Sequence, residues 1–147
     1  MKALLPILGV LAFTPVASAQ EDAPSPFGKW HCMKPSSDDL FKFEVSSPKV
    51  RVNNFAIQES KAFVTDAPTL TFSAAVANRS EKNVAITVEI VGMSGGSPVF
   101  ALSGDAGFGF VPPGKNEEVK GTIATPRGSM KRAEQLCIRV GGYQQNR

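Results

Sequence analysis

One histidine, two cysteines and four methionines are the residues of this chain best suited to bind a soft metal or to act as nucleophiles. His31, Cys32 and Met33 are contiguous, and Met93 and Met130 fall in segments that read as loops. Imidazole, thiolate and thioether together suit Cu(I), which defines one reading of the chain as a small copper carrier with His31 and Met33 as ligands. Two features oppose it. No two His or Met residues share a close ligand spacing, and a disulfide at Cys32 would remove the thiolate. A Cys-His nucleophile pair fails on geometry, because adjacent side chains of an extended segment point to opposite faces. The acid pairs Asp38-Asp39 and Glu117-Glu118 sit in turn-like or solvent-facing positions. A glycosidase needs two carboxylates facing each other across a cleft. The chain therefore reads as a non-enzyme with no cofactor, and copper binding is the alternative.

The cysteines gain meaning from the N-terminus. Lys2 precedes an apolar run over residues 3–13, and Ala17-Ser18-Ala19 has the small-x-small form of a signal-peptidase site. We expect a signal peptide at residues 1–19 and a secreted or periplasmic product. The run is too short, and too interrupted by Pro6, to anchor the chain across a bilayer, and no later segment is long and apolar enough. Cys32 and Cys137 are then the two thiols of an exported chain, and one disulfide between them is expected. Leu136, Ile138 and Val140 alternate with Cys137 and Arg139, so Cys137 faces away from the core. Cys32 must reach that outer face, which places residues 30–33 beside the closing strand. Trp30, the single tryptophan, is expected to pack.

The elements that must position these residues are strands. Leu70, Phe72, Ala74 and Val76 alternate with smaller polar residues, and so do Val84, Ile86, Val88 and Ile90. Residues 69–91 read as a hairpin turning through Asn78-Arg79-Ser80. That tripeptide is formally a glycosylation sequon and is read here as a turn. Further alternating runs occupy residues 40–46, with Phe41, Phe43 and Val45 on one face, and residues 49–53, 98–103, 117–125 and 136–140. Residues 54–66 fit two short strands, one around Phe55 and Ile57 and one around Phe63 and Val64. Residues 104–109 read as an irregular loop carrying Phe108 inward. Pro113-Gly114 fits the middle of a type II turn. Residues 129–135 are the one helical turn expected, capped by Ser129 with Arg132 and Ala133 inside it. Short strands between Gly, Pro, Asn and Ser turns argue an all-β fold, an Ig-like or fibronectin-III-like β-sandwich of seven to nine strands. Residues 20–27 form a flexible leader, residues 28–143 the sandwich and residues 144–147 a disordered tail.

From about Leu70 onward the order of features resembles bacterial extracytoplasmic Ig-like domains of the FxLYD kind and their uncharacterised relatives. The likeness lies in a strand ending in Asn and a small polar residue, a second strand, a Gly-Gly turn at Gly95-Gly96, a third strand, and the Pro112-Pro113-Gly114 turn. Val88-Glu89-Ile90-Val91 stands where the FxLYD motif would be, so the resemblance carries over no site residue. It implies an Ig-like topology and a binding or structural module. The formal charge of +3 is mixed in sign along the chain, without a long basic block, so nucleic acid is not an expected partner. Arg127, Lys131, Arg132 and Arg139 gather near the last strand and are the candidate contact site for an acidic protein or an envelope component. The expected function is an exported protein- or envelope-interaction module.

Overall fold

The structure, a computed structural model, describes residues 26–62 and 66–144. The expected signal peptide, residues 20–25 of the leader, Phe63 and Val64, and residues 145–147 lie outside them. The elements are β1 (Trp30–Met33), α1 (Ser37–Lys42), β2 (Val45–Ser46), β3 (Val50–Lys61), β4 (Pro68–Asn78), β5 (Val84–Ser94), β6 (Ser97–Ala106), β7 (Asn116–Ala124), α2 (Ser129–Arg132) and β8 (Gln135–Gln144). The all-β expectation is met by eight strands in one sheet, ordered β1-β8-β5-β6-β7-β4-β3-β2. Every pairing is antiparallel.

The sheet folds over at one corner. β6 and β7 pair only at Asp105↔Lys120 and Ala106↔Val119. A Cβ on Gly104 would collide with the Lys120 carbonyl, and one on Gly121 with the Ser103 carbonyl. Glycine at both positions lets the two backbones cross closely enough to turn the sheet. The halves β1-β8-β5-β6 and β7-β4-β3-β2 then face each other across one core. In Ig lettering, strands A, B and E are neighbours in one sheet, and C′, C, F and G in the other. β3, β4 and β7 hold the places of A, B and E, and β6, β5 and β8 those of C′, C and F. The place of G beside F is taken by β1, from the other end of the chain.

The inward faces follow the alternation. Leu70, Phe72, Ala74, Val76, Val84, Ile86, Val88 and Ile90 are all 2 % exposed or less, and Leu136, Ile138 and Val140 are fully buried. Residues 69–91 are nevertheless not a hairpin. β4 pairs with β3 and β7, and β5 pairs with β6 and β8, so the two strands lie in opposite halves and face each other through the core. Alternation reports which face is buried, whichever strand lies alongside.

Several boundaries also differ from expectation. Residues 40–46 are not one strand, since only Val45 and Ser46 are extended, in β2: the Ser36 side chain accepts the Asp39 N–H and starts α1, and Asp38 and Asp39 lie in its first turn, where carboxylates are favoured. Leu40 is buried by this helix and Phe41 is turned out, at 64 % exposure. Residues 50–61 form one strand interrupted by a bulge between Asn53 and Ala56, where Asn54 takes φ 54°. The extra residue resets the alternation, so that Phe55 and Ile57 follow Val50 and Val52 onto the inner face. Phe108 is not inward: β6 continues through Gly104 to Ala106, the Gly109 N–H closes a turn on the Ala106 carbonyl at 2.7 Å, and Phe108 sits at its tip, 83 % exposed. Gly128, with φ 73°, is the N-cap of α2, and Ser129 is its first helical residue. Arg132 is exposed while Ala133 is buried. Trp30 is on the outer face, 45 % exposed, rather than in the core. β8 runs on to Gln144 because residues 141–144 pair with residues 84–87 of β5. The Pro113-Gly114 turn is present, with the Lys115 N–H on the Pro112 carbonyl at 3.2 Å and Gly114 at φ 68°.

Candidate functional site

The open side of the sandwich lies between β1 and β3, and α1 crosses it. Its closure is aromatic. The His31 ring of β1 meets Phe43 at 5.5 Å between centroids, and Phe43 meets Phe55 of β3 at 5.1 Å. Beside this seam is a groove of about 520 Å³, lined by Leu40 and Phe41 of α1, Phe55, Ala56 and Ile57 of β3, and Met130 of α2, with Ser37 and Asp38 at one wall. Three local features build it. The Ser36 cap sets α1. The Asn54 bulge turns Phe55 and Ile57 inward. The Glu59 carboxylate accepts the N–H groups of Met130 at 2.7 Å and Gly128 at 3.3 Å, which ties α2 to the end of β3 and places Met130.

The same strand has a bare edge. β2 covers β3 only at Arg51 and Val52. From Asn54 to Lys61, no described strand pairs with β3 on the side away from β4. The groove meets this edge at Phe55, Ala56 and Ile57, and the smaller groove bordered by Arg127 meets it at Glu59, Ser60 and Lys61. It went unseen in the sequence because residues 40–46 imitate a strand. The signal that would have shown it is Ser36 followed three residues later by Asp39, a helix-start pattern ahead of Leu40.

The expected site residues are dispersed. Cys32 and Cys137 are bonded to each other and stand directly opposite across β1 and β8, on the outer face as the alternation requires. His31 and Met33 lie on the opposite face of β1 from Cys32. The His31 Nε2 is 3.3 Å from the Pro26 carbonyl oxygen, and Met33 packs against the core. Among the described residues, no group of three or more His, Cys, Asp or Glu side chains is placed to hold a metal ion. Asp38 and Asp39 lie on α1. Glu117 and Glu118 are consecutive in β7, and Glu118 pairs with Lys120 at 2.8 Å.

The basic residues divide into two settings. Arg127, Lys131 and Arg132 surround α2. Arg132 donates to the Ser129 hydroxyl at 2.9 Å, and Arg127 borders a small groove of about 220 Å³ with Glu59 and Lys61. Arg139 lies on the outer face of β8, bonded through Nε to Glu89 and 4.9 Å from the Trp30 ring centre. That hydrogen bond holds the Glu89 carboxyl below the usual carboxylate range and raises the Arg139 guanidinium further. Arg51 does the same to Glu44, through a 2.7 Å bond.

Asn78 is a heavily used polar side chain of the interior. It is 1 % exposed. Its Nδ2 donates to the Lys82 and Val111 carbonyls, both at 2.8 Å, and its Oδ1 accepts the Ser80 N–H at 2.9 Å and the Ser80 hydroxyl at 2.7 Å. The nitrogen a glycan would need is spent on two carbonyls, so the sequon tripeptide acts as the pin of the β4–β5 crossing. Among the described residues no helix is long and apolar enough to cross a membrane. No family model matches the chain, and no curated protein or solved structure matches it either.

Proposed function

We propose that this chain is an exported, non-catalytic Ig-like module, of the kind resembled by FxLYD domains, that binds another protein of the cell envelope. The observation that carries this reading is Phe41. A phenylalanine 64 % exposed at the lip of a groove lined by Leu40, Phe55, Ile57 and Met130 is an apolar surface without a partner among the described residues. Monomeric surfaces rarely keep such patches unless something docks there. Aromatic residues and methionine are also enriched where proteins meet. The Cys32–Cys137 bridge suits an oxidising compartment, in keeping with the signal-peptide pattern.

The test is a photo-crosslinking amino acid placed at position 41, or at position 108 as a still more exposed control, in the full chain expressed in its own cells. A discrete protein adduct is expected at 41 and absent at 108. Adducts of the same size from both positions, or none from 41, would remove the basis for the assignment.

A further inference from the structure

We infer that the groove receives an extended segment of a protein partner, added as a strand to the free edge of β3 and carrying apolar side chains flanked by Lys or Arg. The inference rests on the interaction-module reading and names what that module binds.

The backbone selects an extended occupant. In an antiparallel ladder, alternate residues direct their N–H and C=O groups to each side. β4 uses one side of β3 and nothing described uses the other over residues 54–61. Residues 55–61 present about 20 Å of edge at the usual rise per residue. A helix satisfies its own backbone and would leave these groups unmatched, whereas an added strand supplies both donors and acceptors. The side chains select an apolar occupant, because Phe41, Ile57 and Met130 line the groove beside this edge. The charge selects the flank at the α1 wall. Among the described residues Asp38 is the single charged one lining the groove and Asp39 adjoins it on α1, while Glu59, Lys61 and Arg127 border the far end of the edge. An exposed edge left in this state invites pairing with any suitable strand. The Asn54 bulge and α1 restrict the approach to segments narrow enough to enter between helix and strand.

The probes are three Lys-flanked heptapeptides that alternate threonine with valine, leucine or phenylalanine. Each is also made with N-methyl groups on alternate amides, in both phases, to remove the donors on one edge at a time. We expect at least one peptide to bind the oxidised protein and to slow amide exchange within residues 55–61 of β3. One N-methyl phase should weaken that peptide at least tenfold while the other does not. Phe41→Ala, a change at an exposed position, should also weaken it at least tenfold without altering the unfolding midpoint. Absence of binding by all three peptides at millimolar concentration, binding that leaves β3 exchange unchanged, or equal affinity for both methylated phases would overturn strand addition. So would a concentration-dependent dimer protecting the same amides, which would assign the edge to self-pairing. Crosslinks at position 41 with no strand addition would leave the module standing and refute its binding mode. Strand addition without crosslinks would support the binding mode and remove the evidence for an envelope partner.

Discussion

Replacing Asn78 with alanine removes four hydrogen bonds from one buried point, and the structure says which partners are then stranded. The Val111 carbonyl keeps the Val84 N–H, at 3.1 Å, and the Ser80 hydroxyl, whose single proton Oδ1 no longer takes, turns to the Lys82 carbonyl 2.9 Å away. The Ser80 N–H loses its acceptor. Four neutral bonds at about 1 kcal/mol each suggest a loss of about 4 kcal/mol, and water reaching the Lys82 side of the turn returns part of it, leaving about 3 kcal/mol. For a domain of this size that is a fall in Tm of about 10–15 °C. Asn78→Asp separates this account from simple loss of volume. The aspartate keeps the acceptor oxygen but sets a second oxygen against the Val111 and Lys82 carbonyls. Burial beside two carbonyls raises its carboxyl above the unfolded value of about 3.9, so the folded state binds the extra proton. The variant is then least destabilised near pH 4 and loses stability, relative to wild type, as pH rises to 7. Urea unfolding of the three proteins at both pH values measures this. A loss below about 1 kcal/mol for the alanine variant, or an aspartate variant no worse at pH 7 than at pH 4, would refute the buried-pin account.

Two further outcomes follow from the outer face of β1 and β8. Cys32 and Cys137 enclose a separation of 105 residues, for which the chain-entropy model allows up to about 4.7 kcal/mol and practice gives about 2–4. The double Cys32→Ser, Cys137→Ser variant should lose that much in urea unfolding and lose amide protection in β1 before the other strands, whereas uniform loss would show that β1 is not held by the bridge. Glu89 is held below its unfolded pKa by Arg139, so the pair's stabilisation is present above that unfolded value and disappears as pH falls through the lowered folded one. The acid limb of the stability profile should therefore flatten in Glu89→Gln, and the emission of Trp30, stacked on Arg139, should shift with it; an unchanged limb would mean the exposed pair contributes nothing.

What could be read from the sequence was the facing of residues, and what could not was their partners. The placement of Cys137 shows the first. Three buried neighbours at alternate positions fixed its outward direction, and Cys32 had to come to it, which put β1 beside β8. The 69–91 stretch shows the second. Its two strands bury the same face whether they lie side by side or across a core, so alternation cannot separate a hairpin from a crossing. The deciding residue was Asn78, whose side chain replaces ladder bonds at the crossing. In residues 50–61, one added residue with positive φ at Asn54 shifted the period and made one strand look like pieces of two. In residues 40–46, apolar residues two apart fitted a strand, while the helix start lay upstream at Ser36. The groove stayed hidden because both of these misreadings fall on its walls.

The groove is itself a consequence of where β1 sits. In the Ig arrangement the strand beside F arrives from the C-terminal end and needs no crossing to A. Here that position is filled by β1, in one half of the sandwich, while the next long strand, β3, lies in the other. The residues between must cross the open side, and they do so as α1 and β2, with Phe43 packed between His31 and Phe55. Only two residues of β2 then pair with β3, so no described strand covers the edge beyond Val52. The bridge at Cys32 holds the strand from which this crossing starts. One disulfide on the outer face thus fixes one end of the segment that walls the groove, although neither sulfur lines it.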